Sequence, residues 1–421
     1  MTKASPAIAP AIAPAIAPAR ARRAQFALLL TFFMQGFITI SPLPRIPEFI
    51  ALLHINFTVW GLITGFSVAG ALLPLAFTNQ LINRLGTTPI IRLSVLLLVA
   101  CLISQPLTNN PYIFFAIYST QAFALSAFNI ALNAQSVMFQ KKLGQVILGK
   151  LHGAWSIGAA LSSAFTGAIA KVVSLQSQML FVPLVGLVVL LWACSQMLQP
   201  SEDGHAFERP DKANKIGLLK TPRYLLLLVA GLIAGMFPEL VVMDWSAVYS
   251  KSVLHLDKNQ AALPYTLFVM AMIAGRFSVA RLANGRHLSR VSQAGGLFGA
   301  LAMALAIGGS TLLAASNNQL ALLVLCVFFI VAGFGIASMV PSYYSAAGHI
   351  TGMTTAQALS RMSLINSTLI IGFKFAMGAL ADGIGLSLAF VFPIVLFAAA
   401  GVISGLVADR AEKIQARKQP I

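Results

Sequence analysis

Two ionisable residues, Glu239 and Lys374, lie deep inside long apolar stretches of the chain. A charge in hydrocarbon costs about 3 kcal/mol on insertion scales, so such residues are usually paired and functional. Each lies about 16 residues into its predicted helix, which at about 1.5 Å per residue gives both a depth of roughly 24 Å. We expect an ion pair in at least one state, whose separation is coupled to a solute or a proton. A static pair, or two side chains that reach for the interface, would also fit this placement.

Uncharged amide side chains form a second candidate set. Asn129 and Asn133 are spaced i, i+4 and therefore project from one face of a helix, and Gln35, Gln121 and Asn366 add further amides in other apolar stretches. Amide groups can bind the hydroxyls or amides of a solute. They can equally form hydrogen bonds between helices, at about 1 kcal/mol each. The sequence leaves both roles open.

His152 is the histidine best placed near an apolar stretch, and Trp155 follows it by three residues. An imidazole titrates near neutral pH and can relay protons. Hydrogen bonding to a neighbouring helix is the competing role, and the charge of nearby Lys150 would oppose protonation of the ring.

These residues must be positioned by membrane helices. Of the 421 residues, 58% are hydrophobic and only 9% are charged, too few to cover a water-soluble surface. The apolar runs are continuous over roughly 20 residues, which excludes the alternation of a barrel strand. We therefore predict an all-α integral membrane protein with twelve transmembrane helices, at 24–44, 57–81, 90–108, 112–139, 147–170, 178–199, 223–249, 261–283, 289–315, 319–345, 358–381 and 385–408.

The longest hydrophilic loop divides the chain into two pseudo-symmetric six-helix halves. A short basic turn, NQLINRLGTTPIIR at 79–92, has an echo in GRFSVARLANGRHLSR at 275–290, which indicates an internal repeat. The predicted domains are a disordered Ala/Pro/Ile-rich tail at 1–23, six-helix bundles at 24–199 and 223–408, a linker at 200–222 and a tail at 409–421.

Basic residues predict the orientation. With the N-terminus inside, 22 of the 28 Lys and Arg residues fall in cytoplasmic segments, four fall outside, and two lie within spans. This asymmetry satisfies the positive-inside rule, so both termini are expected in the cytoplasm. The net charge of +17 then reflects topology and attraction to anionic lipids, and a nucleic-acid partner is not expected.

The outer ends of two helices carry further charges. Asp244 follows Glu239 by five residues, a rotation of about 140°, so the two carboxylates cannot share a helix face. Asp244 either anchors the outer end of the seventh helix or closes a gate there. Arg45 and Glu48 lie at the outer end of the first helix, and we expect a weak, exposed ion cluster of these two residues with Asp244.

Several segments, taken in order and spacing, resemble the major facilitator superfamily over 24–410, and in particular bacterial sugar-transporter-like and drug-transporter-like members. They are RIPE (45–48), NRLG (83–86), NAQSV (133–137), LHGAWSIGAAL (151–161), MDWSAVY (243–249), AGRF (274–277), GFGIASMVPSYYSAAG (333–348) and GALADGIGL (378–386). The resemblance implies that fold, a multi-pass location in the bacterial cytoplasmic (inner) membrane, and alternating access.

The chain departs from that family at its cytoplasmic charge latch. Asn83 and Ala280 stand where an acidic residue is typical. Arg84, Arg276 and Arg281 remain, and they are expected to gate through helix ends or backbone carbonyls. Asp382, in the GALADGIGL segment, is a further gating candidate.

No phosphate-binding loop, metal cluster or nucleophile motif is present in the sequence, so an enzyme, an ATP-driven pump, a cofactor and a metal site are not expected. We expect a monomeric secondary transporter for a small organic solute, coupled to protons and embedded in membrane lipids. Export by antiport and uptake by symport both fit. An expected cavity of aromatic, Met and amide groups with few charges favours export.

Different functions remain open on the same fold. A transporter-like receptor or scaffold would bind the solute without moving it, although the tails and central loop are too short for a signalling domain. A uniporter would move the solute without an ion, and a lipid flippase would need a lateral opening between helices.

Overall fold

The computed structural model describes residues 17–145, 147–203, 222–283, 287–347, 350 and 355–416. Regular structure within these ranges is helical and includes twelve long helices, which confirms the predicted fold class. The helices of the N-terminal half are α1 (Pro18–Ile40, extended by Ile46–Leu53), α2 (Phe57–Phe66 and Val68–Leu85), α3 (Thr87–Ser104), α4 (Pro111–Leu143), α5 (Leu148–Ile169) and α6 (Leu175–Gln196). The helices of the C-terminal half are α7 (Arg223–Ser252), α8 (Leu263–Leu282), α9 (Leu288–Leu313), α10 (Asn318–Ile336 and Met339–Ala347), α11 (Thr355–Ile384) and α12 (Val391–Ala416).

Eleven of these helices are long and apolar enough to cross a bilayer, judged over the described residues by length and composition. The twelfth, α5, has 22 residues but carries His152, Ser162, Ser163 and Thr166, which lower its hydropathy. The outside of the bundle exposes large apolar side chains such as Leu312 and is suited to lipid. The chain is a multi-pass membrane protein.

Three predicted boundaries change. Pro18 occupies the first turn of α1, where its fixed φ favours a helix start, so 18–23 are helical and not part of a disordered tail. The predicted linker at 200–222 begins with the helical turn Pro200–Asp203, and α12 continues through the predicted tail to Ala416. Residues 1–16, 204–221 and 417–421 lie outside the described residues.

The two halves repeat one packing scheme. In the N-terminal half α1 packs on α5 and α6, α3 packs on α4 and α6, and α2 packs on α4. In the C-terminal half the same pairs recur, as α7 with α11 and α12, α9 with α10 and α12, and α8 with α10. Adding six to each helix number converts one half into the other, which is the signature of an internal repeat.

We name the face of the bundle at which α1 begins the basic face, because Arg20, Arg84 and Lys142 lie there, and the other side the opposite face. At the basic face each half ties its third helix to the end of its sixth. The Asp203 carboxylate, just after α6, accepts hydrogen bonds from the Thr87 amide and hydroxyl, each 3.0 Å. Arg290 of α9 donates at 2.9 Å to Glu412 in the last turns of α12. In each half, therefore, polar contacts at the basic face join the third helix to the end of the sixth.

Glycine allows close helix crossings within each half. A Cβ atom at Gly158 of α5 would lie 2.0 Å from the carbonyl oxygen of Phe33 in α1. The two backbones touch at this point, and a side chain would force them apart.

We expect Gly158→Ala to lower the melting temperature of the purified protein by several degrees, because overpacking costs about 1–3 kcal/mol. Gly149→Ala in the same helix is the matched control, since a Cβ there would meet nothing within 4 Å. Differential scanning fluorimetry in one detergent compares them. Equal melting temperatures for both variants would contradict the close crossing.

Candidate functional site

The halves meet at the opposite face along α2 and α11. The first segment of α2, Phe57–Phe66, packs closely on α11. A Cβ at Gly61 would lie 2.6 Å from the carbonyl oxygen of Lys374, and a Cβ at Gly378 would lie 2.3 Å from that of Phe57. Both sides of the crossing are therefore in backbone contact, and the halves are tightly joined here.

Asp382 caps the beginning of α2 from the other half. Its carboxylate accepts hydrogen bonds from the Phe57 amide at 3.1 Å, the Thr58 amide at 2.7 Å and the Thr58 hydroxyl at 2.6 Å. A carboxylate at a helix N-terminus satisfies free amides and complements the helix dipole. Asp382 is therefore placed to hold the two halves together, as a gating residue would be.

Three more polar contacts cross between the halves near the same face. Lys258 binds Glu48 at 2.8 Å, and Lys171 binds Asp257 at 2.7 Å. The Thr266 hydroxyl donates to Ser163 at 2.7 Å, joining α8 to α5. The hydrogen bond and charge from Lys171 hold the pKa of the Asp257 carboxyl below its usual range, so the pair is lost as the pH falls through that lowered value.

Toward the basic face the halves separate between α2 and α11. The α2 helix is interrupted at Ser67, and its second segment, Val68–Leu85, leaves α11 almost without contact. Polar groups on three helices are accessible: Asn129 of α4 and His152 of α5 are exposed, and the Arg276 side chain of α8 is 41% exposed. From the separated helices and these exposed polar groups we infer a cavity that opens at the basic face and is closed at the opposite face.

Lys374 pairs with Asp244 and not, as predicted, with Glu239. Their charged atoms are 2.7 Å apart, with side chains only 12% and 4% exposed. The predicted pair with Glu239 is not formed in this structure, in which α11 begins at Thr355 and not at 358. Lys374 thus lies roughly 28 Å along its helix, between Glu239 at roughly 24 Å and Asp244 at roughly 32 Å, and the face of α7 that carries Asp244 is the one that meets it.

The predicted exposed cluster of Arg45, Glu48 and Asp244 does not form in this structure either. After Ile40 the chain continues through a short 3₁₀ helix at Leu43–Arg45, and the Arg45 side chain is only 1% exposed. Its guanidinium donates to Glu48 and, at 2.7 Å, to Gln178 of α6. Arg45 and Glu48 therefore pair within the N-terminal half, while Asp244 is buried against α11.

Glu239 lies in the cavity beside Arg276 of α8. The closest carboxylate and guanidinium atoms are 3.9 Å apart, and the Glu239 side chain is 27% exposed. His152 of α5 is close enough to Arg276 for their charges to interact, and its ring packs edge-on against Phe32 with centroids 5.3 Å apart. Glu239, Arg276 and His152 thus form a loosely associated, accessible group of ionisable side chains.

The amides of the N-terminal half bond mostly to each other. Gln35 donates to the Asn129 side chain at 2.7 Å and so joins α1 to α4, and Asn133 donates to the Asn129 carbonyl at 2.8 Å. Gln121 accepts a hydrogen bond from Gln105. Asn129 is an exposed member of this network and presents amide atoms to the cavity.

The remaining predicted residues are dispersed. Asn366 of α11 is buried beside Met236, with no hydrogen-bond partner for its carbonyl oxygen in the described part of the chain. Trp155 is half-buried, and its carbonyl touches the α1 backbone at Gly36. Arg84 and Arg281 are exposed at the basic ends of α2 and α8, away from the Glu239 group.

Sequence reasoning missed Lys171, Asp257 and Lys258 as residues that join the halves. A signal was present, because Lys171 and Lys258 are among the four basic residues that the predicted topology placed outside. Lysines on the outer side go against the positive-inside rule, which suggests that each has a specific partner nearby. Here both lysines bind a carboxylate of the other half.

We expect Asp244→Asn and Lys374→Met each to destabilise the protein strongly, because removing one member of a buried pair costs about 3–5 kcal/mol. The double variant leaves no unpaired charge and should recover most of the lost stability. Thermal unfolding of all four proteins gives the coupling energy. Additive losses in the double variant would contradict an energetically coupled pair.

Comparison with known proteins agrees with this architecture. The family model described as Major Facilitator Superfamily matches residues 26–349. An uncharacterised MFS-type transporter of Yersinia pestis is 26% identical over 375 residues, covering 87% of this chain and 91% of that protein.

Two solved structures share the fold. A point mutant of the nucleoside transporter NupG aligns with a TM-score of 0.72 at 12% identity over 91% of this chain and 99% of its own. An inward-facing, unoccupied bacterial homologue of the human lysosomal transporter Spinster aligns with a TM-score of 0.72 at 14% identity, over 94% and 98%. With the family model spanning most of the chain and both halves built alike, the protein is a membrane transporter that belongs to the Major Facilitator Superfamily.

Proposed function

We propose that this protein is a secondary active transporter that moves a small organic solute by alternating access. The observation that supports the proposal is an asymmetry of the interface between the two halves, which we call the seam. The seam is closed at the opposite face by Asp382 and the α2–α11 crossing, and it is open between the same helices at the basic face. Rocking of the two halves about a central site would close the basic face and open the opposite face. One chain supplies both halves, so a monomer suffices.

The basic face is assigned to the cytoplasm of a bacterium, and the membrane to its inner membrane. The positive-inside rule supports this orientation, with both termini cytoplasmic. The structure then represents an inward-open state, in which the solute exchanges with the cytoplasm.

Proton coupling is assigned to Glu239. Its carboxylate is accessible from the cavity and only loosely paired with Arg276 at 3.9 Å, so gain of a proton would release Arg276. A tightly paired group such as Asp244 would have to break a 2.7 Å contact first. The exposed Asn129 amide on the facing half supplies hydrogen bonds for a polar part of the solute. Few charges and many apolar neighbours favour export by antiport over uptake.

The test measures external pH around proteoliposomes while sugars, amino acids, nucleosides and cationic drugs are added in turn. We expect one class to drive a proton flux that Glu239→Gln abolishes, because the amide cannot exchange a proton. Glu412→Gln is the matched control, since Glu412 lies at the basic face and binds Arg290 outside the cavity. It should leave the flux unchanged.

The same proteoliposomes, assayed also for solute uptake, solute binding and movement of labelled headgroups, can contradict parts of the proposal. Solute movement without proton movement, equal in wild type and Glu239→Gln, would indicate a uniporter. Headgroup movement alone would indicate a flippase. Solute binding without flux would indicate a receptor.

We also expect Asp382→Ala to open the opposite face more often, because α2 loses the three hydrogen bonds of its cap. In sealed vesicles with the opposite face outward, an impermeant thiol reagent should modify a cysteine at Asn129 about tenfold faster in this background, for a loss of about 1.4 kcal/mol. Asp409→Ala, at the basic face, is the control. Equal rates in both backgrounds would exclude Asp382 from the gate.

A further inference from the structure

A second cavity lies outside the closed seam, on the opposite face. Its volume is about 450 Å³, and both halves form its walls: Pro44, Pro47, Glu48 and Phe57 from one, and Val248 and Lys251 among those from the other. We call it the outer pocket. None of its lining residues belongs to the Glu239 group, so it is a separate site.

The lining of the outer pocket combines apolar walls with an excess of positive charge. Proline, isoleucine, alanine, phenylalanine and valine side chains make most of its surface. Lys258 is already bound to Glu48 at 2.8 Å across the seam, and these two charges cancel. Lys251 is exposed at the end of α7 and adds a positive charge beyond that pair.

The size and chemistry of the outer pocket select its ligand. Pockets for small organic molecules typically enclose about 300–1,000 Å³ and are mostly apolar with a few polar groups that fix orientation. A carboxylate bound to Lys251 and a short hydrocarbon chain against the apolar wall would match both features. A cation would be repelled by the unbalanced charge of Lys251, and a fully polar solute would make no favourable contact with the apolar wall.

We propose that the outer pocket binds amphiphilic organic anions of the medium-chain monocarboxylate class from the side opposite the basic face. Because both halves contribute residues to its walls, the outer pocket exists only while the halves are in contact at the opposite face. A bound anion therefore stabilises this conformation by its differential affinity and opposes opening at that face. Only this consequence rests on the proposed alternating access; binding itself does not.

The test follows protection of a cysteine introduced at Ser252, an exposed residue of the pocket wall, in the full-length protein in nanodiscs. The native cysteines, Cys101, Cys194 and Cys326, are buried. Octanoate should slow maleimide labelling of the introduced thiol in a saturable manner. Lys251→Gln should raise the half-protecting concentration about tenfold, as expected for one lost charge-assisted contact, and Lys251→Arg should preserve it.

Two controls separate the outer pocket from nonspecific effects of the amphiphile. A cysteine at Asn109, an exposed residue in the α3–α4 loop, should label at the same rate with or without octanoate. Octanamide, which lacks the charge, should protect the Ser252 position poorly.

The proposal is overturned if octanoate fails to protect the Ser252 position, if it protects Asn109 equally, or if Lys251→Gln changes nothing. Protection with the expected charge dependence supports it even if no solute is ever transported. Failure of the pocket and failure of the proposed transport are therefore distinguishable. Where transport is measured, octanoate added at the opposite face should slow it in wild type and not in Lys251→Gln.

Discussion

The structure depends on one contact, the crossing of α2 and α11 at the opposite face. Gly61 and Gly378 allow the two backbones to come into contact. Asp382 supplies the hydrogen-bond acceptor that the first amides of α2 would otherwise lack. Asp382 is exposed at this face, so each bond of the cap competes with water and has the modest strength of an ordinary hydrogen bond. The seam can close firmly here and still separate elsewhere, because the bonds are few and local.

Charge in the bundle is arranged by depth. The tight Asp244–Lys374 pair lies beneath the crossing, and the backbone of Lys374 itself contacts Gly61 of the other half. The loose Glu239–Arg276 pair lies in the accessible cavity. A pair that is buried and satisfied stabilises one conformation, whereas a pair held at 3.9 Å can respond to a proton or a solute. The two pairs suit these different tasks.

The fold was predictable from the sequence because hydrocarbon imposes a continuous apolar span of known length. Pair assignments were less predictable, since they depend on helix starts to within a turn. A shift of three residues at the start of α11 places Lys374 between the heights of Glu239 and Asp244, and the structure pairs it with Asp244. Contacts between the halves were harder still, because residues such as Lys258 lie in short loops where no periodic pattern constrains them. The exposed Asn129 amide was named as a candidate, but its bond to Gln35 depends on how α1 and α4 pack.

The most direct test of the account is a pair of distances measured by pulsed electron paramagnetic resonance on spin-labelled protein in nanodiscs. One pair of labels, at Arg84 and Ser360, reports the basic ends of α2 and α11, and a second, at Ala51 and Gly383, reports the opposite face; all four positions are exposed. The account predicts two populations whose proportions change together with pH or solute, the basic-face distance shortening as the opposite-face distance lengthens. Distances that lengthen together, or a single population at both faces under every condition, would contradict alternating access.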